Sequence, residues 1–205
     1  MGEIEFKIFL YLVIVFSAVF HEYCHGWMAY SLGDPTAKYA GRLTLNPLKH
    51  IDPIGTVVLP LFLLFFAGGF IGWAKPVPYN PYNLKDQRWG STKVAVAGPG
   101  ANVLLALAIG LSLRFLPVSG LALVALHWVV FVNIFLALFN LIPLPPLDGS
   151  KLLFDLFPRS QAIRSLGQSF IGIFLAIFLA LWFLPPLSQF VFELIVGNQF
   201  LAVGF

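Results

Sequence analysis

Five predominantly apolar stretches, at about residues 6–28, 54–72, 94–115, 119–141 and 166–184, constrain this 205-residue chain more than any other feature. Each approaches or exceeds the roughly 18 residues that cross a bilayer, so the chain reads as a polytopic membrane bundle. A sixth, weaker stretch covers 187–203, after Pro185 and Pro186. With 59% hydrophobic and 10% charged residues, no polar segment remains for a soluble domain of useful size. The N-terminal MGEIEFK is as acidic as it is basic and leads into the first stretch without a small-residue cleavage site, which indicates a retained helix, not a signal peptide. The single cysteine, Cys24, excludes an intrachain disulfide and argues against a cysteine-based metal site. A net charge of +3 is a topological signature in such a chain and gives no case for nucleic acid.

The basic residues restrict the topology. Of the 12 Lys and Arg, three lie in 29–53, four in 73–93 and three in 142–165, leaving Lys7 and Arg114 elsewhere. Positive charge favours the cytoplasmic side, so those three loops should share it. A full crossing by 54–72 would separate two of them; a re-entrant segment, bent at Pro60 or Gly68-Gly69, would not. An ordinary spanning helix is the alternative. Short alternating runs in DPTAKYAGRLTLNPLKHIDP suggest a β-hairpin around 37–45, and GWAKPVPYNPYN is too proline-rich for helix and suggests an extended strand. The expected fold class is an all-α polytopic membrane bundle of five or six segments, one of them re-entrant, with a short β-hairpin or edge strand near the active site.

The first apolar stretch ends in FHEYCHG, where His21, Glu22 and His25 form H-E-x-x-H. On a helix, residues four apart share a face one turn distant, so both imidazoles can reach one zinc ion. Glu22 sits beside them and can take a proton from a zinc-activated water. It is also the only acidic residue inside the five main stretches, and an ionised carboxylate at that depth needs a partner. The bland reading, a solvated helix face that binds nothing, suits a soluble helix better than this one.

Zinc hydrolases keep three protein ligands and one open position. In NLIPLPPLDGSKLL, Asp148 stands in an apolar context after Pro143, Pro145 and Pro146, which forbid continuous helix and let a carboxylate turn back into the bundle. An N-cap for a helix starting near Gly149 is the competing reading. If Asp148 is to meet His25, an odd number of crossings must separate the two helices, which again requires 54–72 to re-enter. Asn102 and Asn133 read as interhelical hydrogen-bonding groups, His50 as a turn residue beside Asp52, His127 as a structural histidine, and Cys24 as a small buried hydrophobe. AVAGPGANVLLALAIG reads as a packing segment whose small residues let helices approach.

HEYCHG, followed by AGPGAN at 97–102 and NLIPLPPLDG, resembles the site-2 protease family of intramembrane zinc metalloproteases, over most of residues 6–157. GRLTLNPLKHIDPIGT and GWAKPVPYNP resemble its small prokaryotic branch, which carries no PDZ or CBS domain. The segment that precedes the motif helix in some relatives is also not expected. The resemblance implies one Zn2+ per chain held by His21, His25 and Asp148, Glu22 as general base, and Asn140 stabilising the oxyanion or holding substrate backbone. It implies a single membrane-embedded metalloprotease domain over 1–205 that cleaves a transmembrane protein or membrane peptide. The expected location is a prokaryotic cell membrane, multi-pass, with the site open to the cytoplasm. The hairpin and the WAKPVPY strand could take up an extended substrate as an added strand. Asn140 could instead make an interhelical hydrogen bond. A metal-ion transporter, an inactive relative that binds membrane partners, and a lipid hydrolase remain as other readings; the substrate, its cleavage position, the initiating signal and the oligomeric state are not encoded legibly.

Overall fold

A computed structural model describes residues 2–66, 72–161, 163, 165 and 170–197. Four helices among them are long and apolar enough to cross a membrane: α1 (Glu3–Ser31), α4 (Gly90–Leu113), α5 (Gly120–Leu141) and α7 (Phe170–Val196, apolar from Gly172). Shorter helices are α2 (Thr36–Tyr39), α3 (Leu59–Phe66) and α6 (Ser150–Leu156). Glu3 and Glu5 in the first turn of α1 oppose the helix dipole, and Lys7 pairs with Glu3 at 2.5 Å. The helix stops at SLGDP because Gly33 takes φ +104°, which lets Gly33 N–H bond Tyr30 O at 3.0 Å and Asp34 N–H bond Ala29 O at 2.9 Å.

The described residues contain no strand, so the expected hairpin around 37–45 is corrected to a helical turn. Local bonds decide this. The Asp34 carboxylate accepts from Thr36 N–H at 3.1 Å and starts α2, and Gly41, at φ +64°, ends it with Arg42 N–H bonded to Ala37 O at 2.9 Å. The stretch 73–80 forms neither helix nor strand, in keeping with its prolines, and the expected strand there is not seen. Its N–H groups are pinned one by one: Trp73 to Gly55 O, Lys75 to His50 O, Val77 to Glu22 Oε2 and Asn80 to Asp34 Oδ2.

The segment expected to re-enter begins with a π-helical turn, Pro53–Val58, and continues as α3. Trp73 N–H lies 3.0 Å from Gly55 O, and Thr56 Oγ1 donates to Trp73 O at 2.8 Å, so the chain is back at Gly55 by residue 73. The segment therefore adds no net crossing. Gly68 and Gly69, offered as a bend, lie outside the described residues.

A second correction concerns Pro185 and Pro186. A break was expected there, with separate segments before and after, yet α7 runs through both to Val196. Two lost backbone bonds cost less in an apolar medium than a loop that would free several more. Residues 198–203 of the expected sixth segment lie outside the described residues.

Helices α4, α5 and α7 pack around Ala106, Val130, Ile134, Phe192, Ile195 and Val196. Gly110 permits the approach, since a Cβ there would stand 2.5 Å from Ile195 Cγ2. Arg114, at the far end of α4, donates to Leu194 O near the end of α7. The connections on the opposite face are tied to one another, for example through Lys85 N–H to Leu32 O at 2.8 Å. That face carries Lys38, Arg42, Lys49, Lys75, Lys85, Arg88, Lys93, Lys151 and Arg159, whereas Lys7 and Arg114 sit at the other.

Candidate metal centre

α1 places His21 and His25 one turn apart on its inward face, 6% and 8% exposed. Their rings meet edge to face with centroids 4.5 Å apart. α4 closes this side through Gly98: a Cβ at that position would collide with Nε2 of both histidines. The third component arrives from the turn after α5. Gly149 N–H bonds Asn140 O at 2.7 Å, and a Cβ at Gly149 would press on the carbonyls of Leu141 and Ile142, so the chain reverses tightly just past Asp148.

Three donor atoms converge as a result. His21 Nε2 and His25 Nε2 are 2.9 Å apart, and Asp148 Oδ2 lies 3.0 Å from the first and 3.1 Å from the second. Ligands about 2.0–2.1 Å from a tetrahedral zinc stand about 3.3 Å from one another, so the triangle is within a few tenths of an ångström of that requirement. The far side of each ring decides what faces inward. His21 Nδ1 is 2.6 Å from Asn102 Oδ1 and His25 Nδ1 is 2.7 Å from Val94 O, both acceptors. Hydrogen-bond pairing assigns the proton of each neutral ring to Nδ1. Two Nε2 lone pairs and a carboxylate oxygen then point at one another, an arrangement that repels itself unless a cation lies between. The donor chemistry thus fits a divalent ion of the zinc class.

Asp148 does not cap a helix. The N-cap of α6 is Gly149, without a side-chain cap bond, and the Asp148 carboxylate faces the imidazoles instead. Glu22 lies beside the triangle in sequence and accepts from Val77 N–H at 2.7 Å, which ties its carboxylate to the stretch 73–80. The Asn140 amide donates to Leu136 O at 3.0 Å, one turn back in its own helix. Arg42 reaches the same stretch, donating through Nη2 to Lys75 O at 2.6 Å. Outside the membrane helices, buried Asp34 anchors it at the other end: burial pushes its carboxyl up, but bonds from Thr36, Asn83 and Asn80 outweigh this and hold it below the usual range.

Asn102 and Asn133 were expected only to join helices, and the structure gives Asn102 a place against a candidate ligand. The signal was present in AGPGAN, since Gly98 and Asn102 are four apart and share the face turned to the histidines. His50 serves its turn, donating to Thr44 O at 2.8 Å, and Cys24 is half-buried with no disulfide partner.

Comparison with known proteins bears on this geometry. A family model described as Peptidase family M50 matches residues 9–125 and 116–184. YwhC of Bacillus subtilis is 37% identical over 89% of this chain and 83% of its own length. Rip2 of Mycolicibacterium smegmatis is 33% identical over 87% of this chain and 68% of its own. MJ0611 of Methanocaldococcus jannaschii is 31% identical over 73% of each. All three carry zinc metalloprotease in their names. No solved structure gives a significant match.

Proposed function

Because this chain belongs to peptidase family M50, we propose that it is a zinc-dependent endopeptidase that cleaves a membrane protein in or near its transmembrane segment. The observation that carries the reading is the convergence of His21, His25 and Asp148 with both Nε2 lone pairs turned inward. One zinc per chain suits the single such cluster among the described residues. Zinc held there would supply Lewis acidity, lowering the pKa of water towards neutrality and polarising the scissile carbonyl.

The remaining steps fall to the chain. Glu22 accepts the proton of the attacking water and later delivers it to the leaving amine. Val77 N–H keeps that carboxylate in place, which links the base to the wall formed by 73–80. An unwound substrate has free backbone groups, and this wall is the surface offered to them. Asn140, with one N–H committed to Leu136 O, has a second to offer a developing oxyanion. The chain acts as one membrane domain in a prokaryotic cell membrane. The site opens to the cytoplasm because most Lys and Arg gather on its face.

The test compares the native chain with Glu22→Gln on a panel of single-pass membrane peptides in lipid vesicles, with zinc content measured alongside. Cleavage should fall about 10²–10⁴-fold in the variant while zinc stays bound. Equal cleavage by both, or a native chain that takes up no zinc, refutes the reading.

A further inference from the structure

The two histidines are held by different kinds of acceptor. His25 Nδ1 faces the main-chain carbonyl of Val94, which can only accept. His21 Nδ1 faces a side-chain amide, which could present either its oxygen or its NH2. What sets that amide lies further down the bundle. Asn102 Nδ2 stands 2.7 Å from Asn133 Oδ1 and 3.4 Å from Ser17 O. Asn133 Nδ2 in turn stands 2.8 Å from Val129 O and 2.9 Å from Ser17 Oγ. The main-chain carbonyls of Ser17 and Val129 cannot donate, so each fixes an NH2, and the two amides can point only one way. Asn102 and Asn133 are fully buried and Ser17 nearly so, so solvent offers no substitute.

The opposing pull comes from Asp148. Its Oδ2 lies 3.0 Å from His21 Nε2 and would welcome a proton there. A His21 carrying hydrogen on Nε2 would satisfy the carboxylate but could not ligate through that nitrogen.

We propose that Asn102 and Asn133 are positioning residues that hold His21 in its Nδ1–H form, keeping Nε2 open for the ion; this rests on the metal-site reading above. The order of command runs from the carbonyls of α1 and α5 through two amides to one lone pair. Outer partners of this kind tune metal affinity about 10–100-fold.

The experiment measures zinc affinity by chelator competition in detergent micelles, for the native chain, Asn102→Leu, Asn133→Leu and His21→Ala. Asn102→Leu should bind about 10–100-fold more weakly, and Asn133→Leu, which removes the shorter of the two bonds that hold the Asn102 NH2 and leaves the longer one to Ser17 O, should lose less. Native affinity in Asn102→Leu overturns the inference while leaving the metal site standing. If His21→Ala binds zinc as tightly as the native chain, the site reading falls and takes this one with it. A 15N spectrum of the zinc-free chain separates positioning from packing: native His21 should carry its hydrogen on Nδ1 and Asn102→Leu should move it to Nε2, beside Asp148, whereas hydrogen on Nε2 in the native chain, or no change in Asn102→Leu, overturns the inference.

Discussion

Residues 94–102 of α4 and residues 106–113 of the same helix meet the bundle by different means. The first part presents a carbonyl, a missing side chain and an amide to His25 and His21. The second presents Ala106 and Gly110 to an apolar cluster centred on Phe192, which is wholly buried. Apolar packing between membrane helices gains little from leaving the solvent, because lipid tails are as apolar as the side chains; it rests on close contact. Polar bonds at the same depth have no water to replace them, so each is directional and hard to exchange. One helix thus offers a tolerant half, where shape matters, and an intolerant half, where single atoms matter.

The sharpest way to break the contrast is Gly98→Ala. One methyl group placed between both Nε2 atoms should lower zinc affinity by more than about 100-fold while the bundle still folds, as read by zinc content against thermal unfolding. Phe192→Ala probes the other half. It should cost about 2 kcal/mol in unfolding from micelles, less than the roughly 3–5 kcal/mol of a soluble core, since the separated helices also solvate the ring in apolar surroundings. Zinc affinity should stay native, and a large loss would show that the halves are coupled.

The smallest effect is expected at the edge of the site. Asp34 has its folded pKa lowered by the bonds from Thr36, Asn83 and Asn80. Its contribution is therefore present above the unfolded value of about 3.9 and is lost as pH falls through the lower folded value. Hydrogen exchange at Asn80 should rise on acidification through that window, and Asp34→Asn, which sets an NH2 against donors, should raise it at neutral pH by about fivefold.

The same contrast governs how much of the fold and site is legible in the sequence. The meeting of His21 and His25 is legible because helical spacing alone puts two imidazoles on one face. Asp148 is legible because charge at membrane depth is rare and the prolines before it exclude helix. Residues 37–45 form no hairpin because alternation in AKYA and RLTL is too short to outweigh the Asp34–Thr36 bond and the Gly41 stop. Asn102 was undervalued for a different reason. Whether an amide joins helices or orients a ligand depends on the rotation of α4 against α1, which no local pattern encodes. The tie of Glu22 to Val77 spans 55 positions and was equally out of reach.

The bond from Trp73 back to Gly55 separates the length of the excursion between them from the thickness of the membrane. Residues could be gained or lost within that loop and its two feet would still stand on the same spot, with the donors undisturbed. α4 has no such freedom. Deleting one residue between Gly98 and Asn102 would swing the amide about 100° around the helix axis and away from His21. Evolution can therefore be expected to vary the first in size and the second only in kind.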